Sequence, residues 1–316
     1  MKKEIGGYLE FERYSGKEFY SDLIALNTAR NALAYLVKSL EIKKVYVPYF
    51  LCNSIQNVCL RENIPFAKYH INSSFLPEFD KNQLADNEYL YVVNYYGLIS
   101  DRKIKNLKKT YSNIIVDNVQ AFFRKPLEKI PTIYSCRKFF GVPDGAYVYS
   151  PGEKTLTLEQ DYSFDRLKHL AGRFEKNASD FYEDFKINDE SFEKLLLKTM
   201  SILTENILKS LDYKTIQHRR TENFKFLNKN LKNINELKLP VITGAYSYPL
   251  LLENGSEIRK RLQQKKIYIP TLWPDVLETC DETSVEYNFA KNILPIPCDQ
   301  RYGKEEMKYI LKEIFK

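Results

Sequence analysis

The chain has 316 residues, 44% of them hydrophobic and 14% aromatic, which is ample for one large core or two moderate ones and excludes a disordered segment. Its 48 Lys+Arg against 41 Asp+Glu leave a formal charge of +7, spread over short clusters such as "KNLKK" and "HRR". No stripe combines basic and stacking residues, so nucleic-acid binding is not indicated and each cluster reads as a solvated helix face.

In chain order, the N-terminal "MKKEIGGYLEFERYSG" lacks the apolar centre of a leader. Residues 21–42 read as a capped helix with Leu23, Leu26, Ala32, Leu33 and Leu36 on one face. A strand at 43–50, a helix at 53–63 and a strand at 65–71 follow. Then come a nearly continuous apolar strand at 89–97, a helix at 101–111, and strands at 113–120, 132–138 and 146–150. Apolar strands alternating with helices indicate a mainly parallel sheet buried on both faces. From about residue 157 the pattern turns helical, with long segments at 165–186 and 190–231. The tail reads as a strand, a helix carrying Ile258 and Leu262, a short strand in "KKIYIP", a further strand, and a closing helix with Met307, Ile310, Leu311 and Ile314 on one face. The expected division is a large domain over residues 1–235 and a small α/β domain over 236–316. Five widely spaced cysteines without a CxxC pair, and three separated histidines, indicate neither a disulfide framework nor a metal site. No run is long and apolar enough to span a bilayer, so no membrane partner is expected and a reducing cytoplasm is the expected location.

In a parallel sheet, ligands bind at the carboxyl ends of the strands. Four features fall there. "NTARNAL" opens a helix at Thr28, Ala29 and Arg30, whose backbone N–H groups suit a phosphate. "NYYG" (Asn94 to Gly97) ends one strand, and "VDNVQ" ends the next with Asp117 and Gln120. "YSCRKFFGVPDGAYVYS" carries Ser135 and Lys138. Singly, each is an ordinary cap, turn or solvated residue. Together they fit one chemistry. A carboxylate keeps a pyridine nitrogen protonated, a helix N-terminus holds a phosphate, and a lysine able to be neutral takes an aldehyde.

With "VYVPYF" and the closing "KKIYIPTLWP" and "AKNILPIPCDQRYGKEEMKYILKEI", these motifs resemble the DegT/DnrJ/EryC1/StrS sugar aminotransferases, which are fold-type-I pyridoxal-phosphate (PLP) enzymes of the aspartate aminotransferase superfamily. The likeness covers most of the chain and is most specific at "DNVQ" ahead of Ser-Cys-Arg-Lys. It implies an α/β fold, a mainly parallel seven-stranded sheet flanked by helices with a smaller C-terminal α/β domain. It implies PLP as cofactor, with Lys138 taking its aldehyde and moving the proton, and Asp117 paired with the pyridine nitrogen. Gln120 would hydrogen-bond the ring hydroxyl or position its face, and Ser135 would hold the phosphate with the backbone of Ala29 and Arg30 beside Thr28. Tyr49 or Phe50 would stack on the ring, and Asn94 and Tyr96 would lie near the ring or substrate. The implied reaction moves an amino group from a donor such as glutamate to a keto acceptor, a (nucleotide-)sugar of surface-polysaccharide or related biosynthesis, in a homodimer. The chain departs from the family pattern at its lysine segment, "YSCRKFFGVPDGAY" in place of "SFHPTKN", and carries no "NxRM" segment. The implied cofactor site is complete while the substrate site is altered. The alternatives are a PLP reaction of another type, elimination or dehydration, and a degenerate homologue that does not catalyse. Trp273 in "TLWPD" falls either at the substrate entrance or in a structural position.

Overall fold

The computed structural model describes residues 5–316; residues 1–4, part of the stretch read above as lacking a leader, lie outside the described residues. Eight strands, β1 (Ile24–Leu26), β2 (Lys44–Pro48), β3 (Phe66–Ile71), β4 (Pro77–Glu78), β5 (Glu88–Val93), β6 (Ile114–Asp117), β7 (Thr132–Ser135) and β8 (Ala146–Tyr149), form one sheet in the order β1-β8-β7-β6-β5-β2-β3-β4. Strands β7, β6, β5, β2 and β3 run parallel, and β8 opposes both of its neighbours. The two-residue β4 adds an antiparallel edge to the seven longer strands. Every residue of β6, Ile-Ile-Val-Asp, is buried, as a strand covered on both faces requires. The crossovers are the helices α1 (Ala29–Ser39), α2 (Ser54–Arg61) and α3 (Asp101–Tyr111).

Three expected helical segments break up. Within 21–42, Ile24–Leu26 pair with Ala146–Val148, and the helix starts only after Thr28, whose Oγ accepts the Asn31 N–H at 3.1 Å. Pairing with a distant strand and a local cap together override the helical period. The region 165–231 divides into α4 (Lys168–Glu175), α5 (Tyr182–Ser191), α6 (Ile202–Lys209) and α7 (Tyr213–Leu231). Ser201 and Asp212 cap the last two by accepting the N–H groups of Thr204 and Thr215.

The C-terminal part holds an antiparallel ribbon of β9 (Ser247–Leu251) and β10 (Ile293–Pro297) with α8 (Gly255–Gln264), α9 (Val276–Thr279), α10 (Val285–Asn292) and α11 (Lys304–Ile314). The expected strand in "KKIYIP" is not formed. Lys266 turns the chain at φ +58°, and Ile267 and Ile269 go into the core without a pairing strand. One apolar core lies on the large sheet under α1 and α2. A second joins Phe224, Leu227 and Leu231 of α7 to Tyr248, Leu262 and Met307, so α7 packs with the C-terminal unit although it precedes residue 236. A third is aromatic, with Tyr20, Phe122, Tyr134, Phe139, Phe140 and Tyr147 beneath the turn that bears Lys138. No helix among the described residues is long and apolar enough to cross a membrane.

Candidate active site

Because β1 runs parallel to β5, β6 and β7, the start of α1 and the ends of those strands meet at one edge of the sheet. A cleft of about 1630 Å³ opens there. Thr28, Ala29, Arg30, Asp117, Ser135 and Lys138 all line it, so residues spread over 110 positions of sequence share one wall.

Asp117 is 2% exposed. One carboxylate oxygen accepts the Val119 N–H at 2.8 Å, the side-chain-to-backbone turn that ends β6. The other accepts the hydroxyl of Tyr91 at 2.8 Å. Burial pushes the Asp117 carboxyl above its ordinary range, while the positive charge of Lys138, the Val119 N–H and the Tyr91 hydroxyl pull it back. A carboxylate this deep is short of a cation, and Lys138 is the only one acting on it among the described residues.

Lys138 sits on a helical turn after β7, where the Cys136 carbonyl accepts the N–H groups of both Phe139 and Phe140. Its amine makes no hydrogen bond or ion pair among the described residues and lies 5.9 Å from the centre of the Tyr246 ring. The peptide following it is held from the C-terminal side. The Phe139 carbonyl accepts Arg220 Nη2 at 3.0 Å and Gln300 Nε2 at 2.8 Å. Arg220 also donates to the Ala245 carbonyl at 2.9 Å and Gln300 Oε1 at 2.7 Å, and its guanidinium lies 4.5 Å from the Phe139 ring centre. The "HRR" cluster is therefore not a uniformly solvated face, since His218 and Arg219 are exposed and Arg220 is buried.

At the start of α1 the N–H groups of Ala29 and Arg30 have no protein partner among the described residues, because Thr28 spends its side chain on Asn31. The Ser135 hydroxyl, close by at the end of β7, is likewise unpartnered. Two amides and a hydroxyl with no acceptor form a ready anion cradle.

Five sequence-derived candidates do not line the cleft. Phe50 is buried against Trp273, with ring centres 4.5 Å apart, and Tyr49 stacks on His70 at 4.5 Å. The Leu51 N–H bonds back to the Tyr49 carbonyl, and this tight turn presents Leu51 and Cys52 to the cleft instead. Asn94 spends its amide inside the fold, donating to Asn118 and accepting from the Ile99 N–H. Gln120 accepts the Tyr96 N–H at 2.7 Å, and its buried Nε2 is left without an acceptor. Tyr96 is buried in a left-handed conformation, φ +53°.

Sequence reasoning missed Tyr91, Arg137, Arg220, Tyr246 and Ser247, all of which line the cleft. Ser247 is buried with its hydroxyl unpartnered. Trp273 also lines the cleft and holds φ +59°, a strained backbone for a bulky residue. Strand alternation could have exposed Tyr91. Val93 is in register with Asp117, and Tyr91 lies two residues earlier on the same face.

No family model matches the sequence, and no curated protein matches it. Solved structures do. NtdA of Bacillus subtilis, solved with bound cofactor PMP, superposes with a TM-score of 0.67 at 16% identity over 93% of this chain and 72% of its own. The sugar aminotransferase CalS13 of Micromonospora echinospora gives 0.62 at 14% identity over 92% and 86%. A DegT DnrJ EryC1 StrS aminotransferase of Brucella abortus gives 0.62 at 14% identity over 93% and 85%. The chain has the fold of these aminotransferases. The α/β class that the motifs implied is the class found.

Proposed function

We propose that this chain is a PLP-dependent aminotransferase. The observation that carries the reading is one cleft in which an unpaired lysine amine, a cation-poor buried carboxylate and an open anion cradle converge. The residues fit the cofactor. The amides of Ala29 and Arg30 with Ser135 suit its phosphate, and Asp117 suits its ring nitrogen. NtdA, of the same fold, is solved with bound cofactor PMP.

When bound, PLP supplies an aldehyde that takes up amines and a protonated ring that draws electrons from the adjoining carbon. The protein's own part follows from the geometry. Asp117 would accept the ring N–H, whose positive charge would compensate the carboxylate's burial. Tyr91 and Val119 hold the carboxylate in place. The first turn of α1 would hold the phosphate. Lys138 Nζ would be the group that takes the cofactor's aldehyde and, when free, the base placed to move a proton between substrate and cofactor. Arg220 and Gln300 anchor the next peptide, so the amine swings on a fixed base.

The donor is an amino acid such as glutamate, and the acceptor a keto sugar in surface-polysaccharide or related biosynthesis. Tyr246, Tyr268 and Trp273 give the far wall apolar faces with polar tips, which suits a hydroxylated ring. We assign the two main cores to a large domain, 1–235, and a small one, 236–316, with α7 crossing between them. A homodimer is supported by apolar side chains left in water, among them Tyr8, Leu9, Phe164, Phe174 and Leu196. Light scattering that gives a single-chain mass would rule the dimer out. The proposed location is the cytoplasm.

The test is the visible absorbance of the protein with PLP, beside Lys138→Ala, before and after glutamate. The reading expects a borohydride-trappable band that needs Lys138 and that glutamate bleaches. A band unmoved by glutamate and other amino donors would indicate a different PLP reaction, and no band at all a degenerate homologue.

A further inference from the structure

The anion cradle is guarded. Arg30 Nε donates to Glu193 Oε1 at 2.9 Å, and its Nη2 lies 3.9 Å from Asp189. Arg137, the residue before Lys138, donates to the same Asp189 at 3.1 Å and stacks on Phe192 at 3.9 Å. Asn57 donates to the other oxygen of Glu193 at 3.0 Å. One carboxylate thus bridges two guanidinium groups, one on the second residue of α1 and one between Ser135 and Lys138. All five polar side chains line the cleft.

The segment that carries the carboxylates is lightly held. Helix α5 rests on α4 and the 179–181 turn, and its only buried residue is Asn188. Both polar atoms of the Asn188 amide are buried without a partner. The seated position of α5 therefore leaves an unsatisfied buried group that lifting the helix would hydrate. The side chains of Asp189 and Glu193 are 45% and 35% exposed, so their ion pairs are screened by water. A phosphate dianion offers the same two arginines more charge and more acceptor oxygens than either carboxylate.

We propose that the 182–193 segment is a carboxylate latch on the phosphate corner: Asp189 and Glu193 occupy Arg30 and Arg137 until a phosphate takes both arginines and releases α5. This rests on the cofactor reading only for the identity of the natural phosphate. It makes Arg137 a binding residue and α5 a moving wall of the cleft.

The experiment titrates inorganic phosphate into the full chain by calorimetry, for the wild type, an Asp189→Asn/Glu193→Gln double variant and Arg137→Gln. Amide exchange of α5 in the wild type is followed with and without phosphate. The double variant is expected to bind phosphate about tenfold tighter and Arg137→Gln about tenfold weaker. Exchange across α5 is expected to rise when phosphate is added. Phosphate binding that is absent throughout, or unchanged or weaker in the double variant, overturns the proposal, as does α5 exchange that holds steady or falls. The wild-type exchange measurement decides the matter even where a variant fails to fold. If phosphate behaves as expected while PLP never attaches to Lys138, the latch stands and the cofactor reading falls. If PLP attaches and the phosphate affinities do not move, the reverse holds.

Discussion

Tyr91→Phe removes one oxygen from a fully buried side chain and leaves no sizeable cavity, so its effect isolates the hydrogen bond to Asp117. In the variant one Asp117 oxygen keeps the Val119 N–H and the other loses its 2.8 Å donor. A hydrogen bond to an ionised acceptor contributes about 1.5–3 kcal/mol, against about 0.5–1.5 kcal/mol for a neutral one, so the variant's deficit depends on whether Asp117 is charged. The folded-state pKa of Asp117 is already raised by burial. Stability from such a group is fully present below its unfolded pKa and is lost as pH rises through the folded pKa. Losing the Tyr91 hydroxyl raises that folded pKa further, because this bond favours the ionised form. The gap between wild type and variant should therefore be narrow in acid, open as pH rises through the wild-type folded pKa, and be full above that of the variant. Urea unfolding of both proteins without cofactor, at a series of pH values from about 4 to about 9, measures it. A gap that is the same at both ends of the series, or that stays below about 0.5 kcal/mol throughout, would refute this account of how Asp117 is held.

Arg220→Met keeps the bulk but drops the fork that ties the Phe139 and Ala245 carbonyls and Gln300 together; thermal or urea unfolding should show a loss of about 2–4 kcal/mol, and Arg220→Lys should recover little of it. Gly145 holds φ +109°, and an added Cβ would stand 3.0 Å from Thr204 Cγ2 and 3.2 Å from Cys136 Cβ; Gly145→Ala should therefore cost about 2 kcal/mol in urea unfolding. Burial pushes the Cys59 thiol up to about 11 and the Cys298 thiol up to about 12, and raises buried Cys136 well above the usual thiol range. Iodoacetamide on the native protein, read by peptide mass, should therefore reach only the half-buried Cys52 and Cys280. Of those two, only Cys52 lines the cleft, so PLP should protect Cys52 and leave Cys280 reactive.

The sequence alone determined the parallel sheet, because strands apolar on both faces have few other places to go. It also marked Asp117, Ser135 and Lys138 as candidates at or just past strand ends, which the structure gathers in one cleft, but it did not fix the helix start after Thr28, which lies inside a span read as helix from residue 21. Arg220 was within reach as well, lying on the buried stripe of α7 with Asn223, Phe224, Leu227 and Leu231. Its charge masked it, since a buried arginine needs distant partners that no local pattern reveals. The tertiary structure decided which way the chain faces once it leaves a strand. After β2 a tight turn sends Tyr49 to His70 and Phe50 into the core and gives the cleft Leu51 and Cys52, a choice made by neighbours from elsewhere in the chain. It also made Ile24–Leu26 a strand, through a partner more than a hundred residues away, and set Asp189 of α5 and Glu193 just after it on two arginines far apart in sequence. Local propensity acts over a few residues, whereas pairing, burial and charge neutralisation act across the folded volume, and the cleft is built from the second kind of interaction.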